Sequence, residues 1–191
     1  MKKYISYVFI GIFLPLVEFG CSEDYLIEEP PHIITAESLY KNLEGFETGL
    51  NGLYALVWEE RQGRSDGGAN ALRAAMWMDG TDVLTPNRSD GFGSVAIGWQ
   101  ERNNPSADDV TAQFLWLYQI INSANTVIGR AENPGIEWVG NGKTAEENKH
   151  RVIAEARVIR AWAYRHLAYL YGDVPLTLEE SLGSNVRTDW Q

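Results

Sequence analysis

Apolar side chains recur at three- and four-residue steps over three long stretches, and that period belongs to helices buried along one face. The first stretch opens at Thr35, a helix-capping residue followed by acidic Glu37. It carries Leu39, Leu43, Phe46, Leu50, Leu53, Tyr54 and Val57 on one stripe. The pattern predicts one helix from Thr35 to about residue 60. Gly45, Gly49 and Gly52 lie along it, and glycine weakens a helix by about 1 kcal/mol relative to alanine. Their presence predicts close approach of another helix.

A second periodic stretch begins near Ser106, with Asp109 three places on, and marks its face with Val110, Phe114, Leu117, Ile121, Ala124 and Ile128. Asn133-Pro134-Gly135 stops it. The third is the best bounded. Thr144 and Glu147 form a capping box, and Gly172 with Pro175 supplies the stop. Val152, Ala156, Ile159, Ala163, His166 and Leu170 form its stripe, while Ile153, Trp162, Tyr169 and the alanines widen it, predicting packing on several sides.

Between the first and second stretches, residues 61–106 are interrupted repeatedly by glycine and proline. A short helix over Ala69–Met78 and a turn of strand near Val95–Trp99 are the only regular elements expected there. The fold class is therefore mainly α: an antiparallel helical array, of the helix-pair repeat kind, with a long irregular Gly-rich connection.

The ends read differently. Met1-Lys2-Lys3 precedes an apolar run to Val17. That run is shorter than the roughly 20 residues a membrane-spanning helix needs, so residues 1–20 read as a secretory signal peptide. The lone cysteine, Cys21, follows Gly20 directly, where a lipoprotein signal is cut and the cysteine acylated. Glu18 and Phe19 depart from the small or aliphatic residues usual before such a cut, and the competing reading is a cysteine ending an uncleaved apolar segment. Residues 21–34, acidic and carrying Pro30-Pro31, read as an extended tether, leaving 35–191 as the helical domain.

Composition narrows the partners. The formal net charge is −10; removing Lys2, Lys3 and Glu18 with the signal takes away a net +1 and leaves −11. Such a surface repels phosphate backbones, which argues against a nucleic-acid partner. Seven Trp, nine Tyr and six Phe supply cores, interfaces or stacking faces for sugar rings. His32, His150 and His166 are scattered, and Glu146–His150 is an ordinary i,i+4 pair. Asp79 and Asp82 lack any sign of flanking a scissile bond. No catalytic group, metal site or cofactor emerges, and an enzyme is not expected.

Three segments carry a resemblance. They are Leu117-Tyr118-Gln119-Ile120-Ile121-Asn122-Ser123-Ala124-Asn125-Thr126-Val127-Ile128, then Glu155-Ala156-Arg157-Val158-Ile159-Arg160-Ala161-Trp162-Ala163-Tyr164, then Leu170-Tyr171-Gly172-Asp173-Val174-Pro175-Leu176. In this order and spacing, with Arg187 beyond, the chain resembles the N-terminal region of SusD/RagB-like lipoproteins. The resemblance implies an outer-membrane, surface-exposed lipoprotein, attached through the lipid on Cys21. It implies tetratricopeptide-like helix pairs, and a partner in a SusC-like TonB-dependent transporter that the protein caps while delivering a glycan, oligosaccharide or peptide. Family members run longer, so the helical domain would be incomplete here, in a truncated product or a split reading frame. Asn125, Arg160, Gly172, Asp173 and Pro175 are expected to be structural. Trp99 and Asn103, with Trp77, are the candidate ligand contacts in the Gly-rich connection, against core or transporter-facing packing for Trp99. A helical scaffold that holds only a protein partner, or a nonfunctional fragment of such a protein, is the alternative.

Overall fold

The computed structural model describes residues 35–62, 78, 81–82, 104 and 108–181. Four helices order the described chain: α1 (Ala36–Leu39), α2 (Leu43–Gln62), α3 (Asp108–Arg130) and α4 (Ala145–Tyr171). There is no strand among the described residues, only two isolated bridges, Asn42 with Glu137 and Gly140 with Lys143. The described fold is mainly α, as the periodicity predicts. None of the described helices is long and apolar enough to cross a membrane.

The helix expected from Thr35 to residue 60 is two helices. Thr35 caps α1 reciprocally with Ser38, and Tyr40 then leaves helical geometry at φ −86°, ψ 54°. The break is held from far away in sequence. The Glu137 amide donates to the Lys41 carbonyl at 3.2 Å, and the Leu43 amide to the Glu137 carbonyl at 2.8 Å. Asn42 Oδ1 then accepts from the Gly45 amide at 2.9 Å, capping α2. The glycines also find a different use from the one expected. A Cβ at Gly45 would fall 1.8 Å from the Leu39 carbonyl oxygen, and one at Gly49 would meet the Tyr40 ring at 2.6 Å; Gly52 faces open space. The close neighbours are the end of α1 and Tyr40 just beyond it, not α3 or α4.

Phe46, Leu50 and Leu53 of α2, Trp116, Leu117, Ile120, Ile121 and Val127 of α3, and Val152, Ala156, Ile159, Ala163 and Leu167 of α4 close one core. Burying a side chain of this size contributes about 1.5–3 kcal/mol. The buried stripe of α3 is rotated from the predicted one: Phe114 and Ile128 are only partly buried, while Trp116, Ile120 and Val127 lie deep. The rotation points α3 at α2, where the Trp116 indole N–H donates to the Leu56 carbonyl at 3.0 Å. On α4 the apolar face is narrower than predicted, since Tyr169 is 74% exposed. That helix packs on α2 and α3 and leaves its far side to solvent.

Cross-helix contacts fix the directions. Tyr171 reaches the Val110 carbonyl and Arg160 reaches Asn125, so α3 and α4 run antiparallel. Glu47 pairs with Arg151 and Tyr54 with Glu155, so α2 runs parallel to α4. The α3–α4 turn tucks Trp138 against Phe46 at 4.5 Å and is fixed by the buried Asn148 amide, which donates to the carbonyls of Trp138 and Gly140.

Candidate functional site

Helix α4 ends at Gly172, whose φ of 76° and ψ of −132° turn the chain back. A glycine is required because L side chains rarely adopt that φ. Residues 173–181 then run as an extended strap along the outside of the α3–α4 groove, and the groove's polar side chains hold them by the backbone.

The Tyr118 hydroxyl donates to the Pro175 carbonyl at 2.6 Å. Tyr164 Oη donates to the Thr177 carbonyl at 2.9 Å and accepts from the Thr177 amide at 2.6 Å. The Asn125 amide nitrogen donates to the carbonyls of Thr177 and Glu179 at 3.1 and 3.0 Å. Its oxygen accepts from the Arg160 guanidinium at 2.7 Å, and Arg160 also reaches the Leu178 carbonyl at 3.4 Å. Farther on, Asn122 Oδ1 accepts from the Ser181 amide at 2.7 Å. The carbonyls of Pro175, Thr177 and Glu179, which take the shorter bonds, alternate as an extended segment requires, and Leu176 and Leu178 turn outward to 67% and 53% exposure.

Electrostatics suit this work. Burial, with Tyr164 beside it, pushes the Tyr118 phenol up to about 12, so it remains a donor at any working pH. Burial also draws the Arg160 guanidinium below its usual value, against the effect of Tyr164. At the strap's far end Arg130 bridges Glu180 and Glu37, both at 3.0 Å, tying the strap to α1. The contact with Glu180 raises the Arg130 pKa and keeps it charged. These groups contact main-chain atoms and one another, an arrangement suited to holding a chain rather than to breaking bonds.

Of the residues singled out in the sequence, Asn125, Arg160, Gly172 and Pro175 meet in this clamp, and the exposed Asp173 follows the turn. Trp77, Trp99, Asn103, Cys21 and Arg187 lie outside the described residues, as does most of the short helix expected over Ala69–Met78. His166 is a core residue, 4% exposed, with Nδ1 2.9 Å from the Trp162 carbonyl. Burial holds its pKa below the ordinary histidine value. Glu146 and His150 form an exposed i,i+4 pair at 3.7 Å. No cluster of three metal-ligating side chains occurs among the described residues. Sequence reasoning missed Tyr118, Tyr164, Asn122 and Arg130. The signal was available in part, since Asn122 and Asn125 are one turn apart on α3 and Arg160 and Tyr164 one turn apart on α4.

Three relatives match most of the chain. The chain is 26% identical over 199 residues to SusD-like protein P25 of Formosa agariphila, covering 96% of this chain and 33% of that protein. It is 32% identical over 179 residues to SusD-like protein P2 of the same organism, covering 92% of this chain and 31% of the relative. A SusD-like protein of Bacteroides ovatus is 25% identical over 157 residues, covering 82% and 26%. The chain thus spans a third or less of the length of these relatives. No family model matches it. No solved structure matches it either.

Proposed function

We propose, from the premise that this chain is a SusD-like sequence, that it forms the helical region of a nutrient-binding lipoprotein at the cell surface. The likeness that carries this reading covers more than nine-tenths of the chain at 32% identity to one relative. On this reading Cys21 is acylated after removal of residues 1–20, and residues 21–34 act as the tether. The helical domain then caps a SusC-like TonB-dependent transporter in the outer membrane and presents a glycan or oligosaccharide to it. Trp99, Asn103 and Trp77 are the proposed ligand contacts of the Gly-rich connection. The protein acts by binding and handing over, not by catalysis.

The clamp supports a scaffold role for α3 and α4 within that function. Asn125, Arg160, Tyr118 and Tyr164 are engaged by the chain's own strap, so this face builds the domain. The wider alternative, a helical lipoprotein that holds only a protein partner, predicts no saccharide binding at all.

Co-purification from the native host tests the reading. The tagged chain is expected to bring down a TonB-dependent barrel protein from the outer membrane. Cys21→Ala is expected to release it into the soluble fraction. Membrane association that survives Cys21→Ala, with no barrel protein recovered, would overturn both the anchor and the partner.

A further inference from the structure

The dipeptide Asn-Gly occurs twice in the sequence, and the fold gives its two copies opposite settings. Asn51-Gly52 lies inside α2, and Asn141-Gly142 lies in the α3–α4 turn; all four residues are exposed. Asparagine before glycine is chemically labile. The glycine nitrogen, with no Cβ on its own residue to shield it, can attack the asparagine side-chain carbonyl carbon. Inside a helix that nitrogen is tied by its N–H to a carbonyl four residues back, and the fixed backbone opposes the attack.

The turn lacks that protection. Asn141 and Gly142 both take positive φ, 55° and 67°, and the Lys143 amide closes the turn on the Gly140 carbonyl at 3.2 Å. Positive φ at both central positions is the type I′ pattern that Asn-Gly favours. The closing bond uses the Lys143 amide and leaves the Gly142 amide with no acceptor among the described residues. The Asn141 side chain, meanwhile, fastens the turn to α2: its Nδ2 donates to Glu47 Oε1 at 2.8 Å.

We propose that Asn141 is a modification site, where spontaneous deamidation unfastens the α3–α4 turn from α2. The Gly142 nitrogen gives its proton to water and bonds to Asn141 Cγ. The Cγ–Nδ2 bond then breaks, and Nδ2 takes a proton from water and leaves as ammonia. Water opens the resulting five-membered imide to aspartate or isoaspartate, with no oxidant or cofactor involved. Either product loses the donor that held Glu47 and sets a carboxylate beside it. Arg151 is already shared between Glu47 and Glu155, so the added charge meets no free counterpart there. The isoaspartyl product also reroutes the main chain beside the Gly140 carbonyl, which the buried Asn148 amide holds at 3.1 Å. The contact of Trp138 with Phe46 depends on that same turn.

Peptide mapping of the full chain, aged in the folded state at mildly alkaline pH and then cut after lysine and arginine, tests the site. Residues 131–143 come off as one peptide, in which Asn133 cannot react because Pro134 has no N–H. A gain of one dalton in it therefore reports Asn141 alone, and the peptide 42–61 carries Asn51 as the internal control. Asn141 is expected to convert about tenfold or more faster than Asn51, which must wait for local opening of α2. In urea the two should convert at similar rates. Equal rates in the folded chain would overturn the site. Asn141→Asp, which writes one product directly, is expected to speed amide exchange over residues 137–143, and Glu47→Gln to cancel most of that gain. Unchanged exchange in Asn141→Asp would overturn the unfastening.

Discussion

Two seams flank α4, and they are furnished with similar residues. The α3 side carries Tyr118, Tyr164, Asn122, Asn125 and Arg160; the α2 side carries Tyr54, Trp58, Glu47, Arg151 and Glu155. In the first, the strap lies across the polar groups, and Asn125 is 1% exposed with donor and acceptor both engaged. In the second, the polar groups pair with one another and the rings face water. Amides, guanidinium groups and phenols therefore do not announce a ligand site by themselves.

Breaking the occupied groove is expected to have the largest effect. Asn125→Leu takes the Asn125 bond away from the carbonyls of Thr177 and Glu179 and from the Arg160 guanidinium, and should cost about 3 kcal/mol in a urea titration. Tyr118→Phe removes one bond to Pro175 and should cost about 1 kcal/mol, with the strap loosened first. Substitution in the shared core should go the other way. Gln113 is fully buried and neither of its amide atoms has a partner, so Gln113→Met should stabilise by about 1 kcal/mol.

Acid should erode the packed side. Burial lowers the folded-state pKa of His166 below the ordinary 6.5, so the unfolded chain binds its proton more readily. Its contribution is therefore complete above about pH 6.5 and is lost as pH falls toward the lower folded value. Below about pH 6.5 the thermal midpoint of the wild type should fall more steeply with acid than that of His166→Gln, which lacks the titrating group. The smallest effect belongs to the α2 side: Trp58→Leu should change stability by less than about 0.5 kcal/mol. A large loss there would mean that Trp58 packs the fold.

How far the sequence foretold this follows from where each determinant sits. The limits of α4 were legible because Thr144, Glu147 and Gly172 act within a turn of their own positions. The break between α1 and α2 was not, because it depends on Glu137, which reaches Asn42 only after α3 has returned the chain. Asn125 and Arg160 stood out through the resemblance of their segments, yet their work became visible only with the strap's path, which Gly172 directs and no periodicity encodes. Tyr54 belonged to an apolar stripe and is half exposed, because α4 covers α2 only in part. Most of the Gly-rich connection, with Trp77, Trp99 and Asn103, lies outside the described residues, and those ligand contacts stand as proposals.

Amide hydrogen exchange along residues 173–181 tests most directly the claim that one groove is filled by the chain itself. The Thr177 and Ser181 amides, held by Tyr164 and Asn122, should exchange slowly in the free wild-type protein, with the outward Leu176 and Leu178 amides faster. Asn125→Leu should bring all four to the fast rate while α4 stays protected. Uniformly fast exchange in the wild type would contradict the account, and would return Asn125 and Arg160 to the list of groups free to meet a ligand.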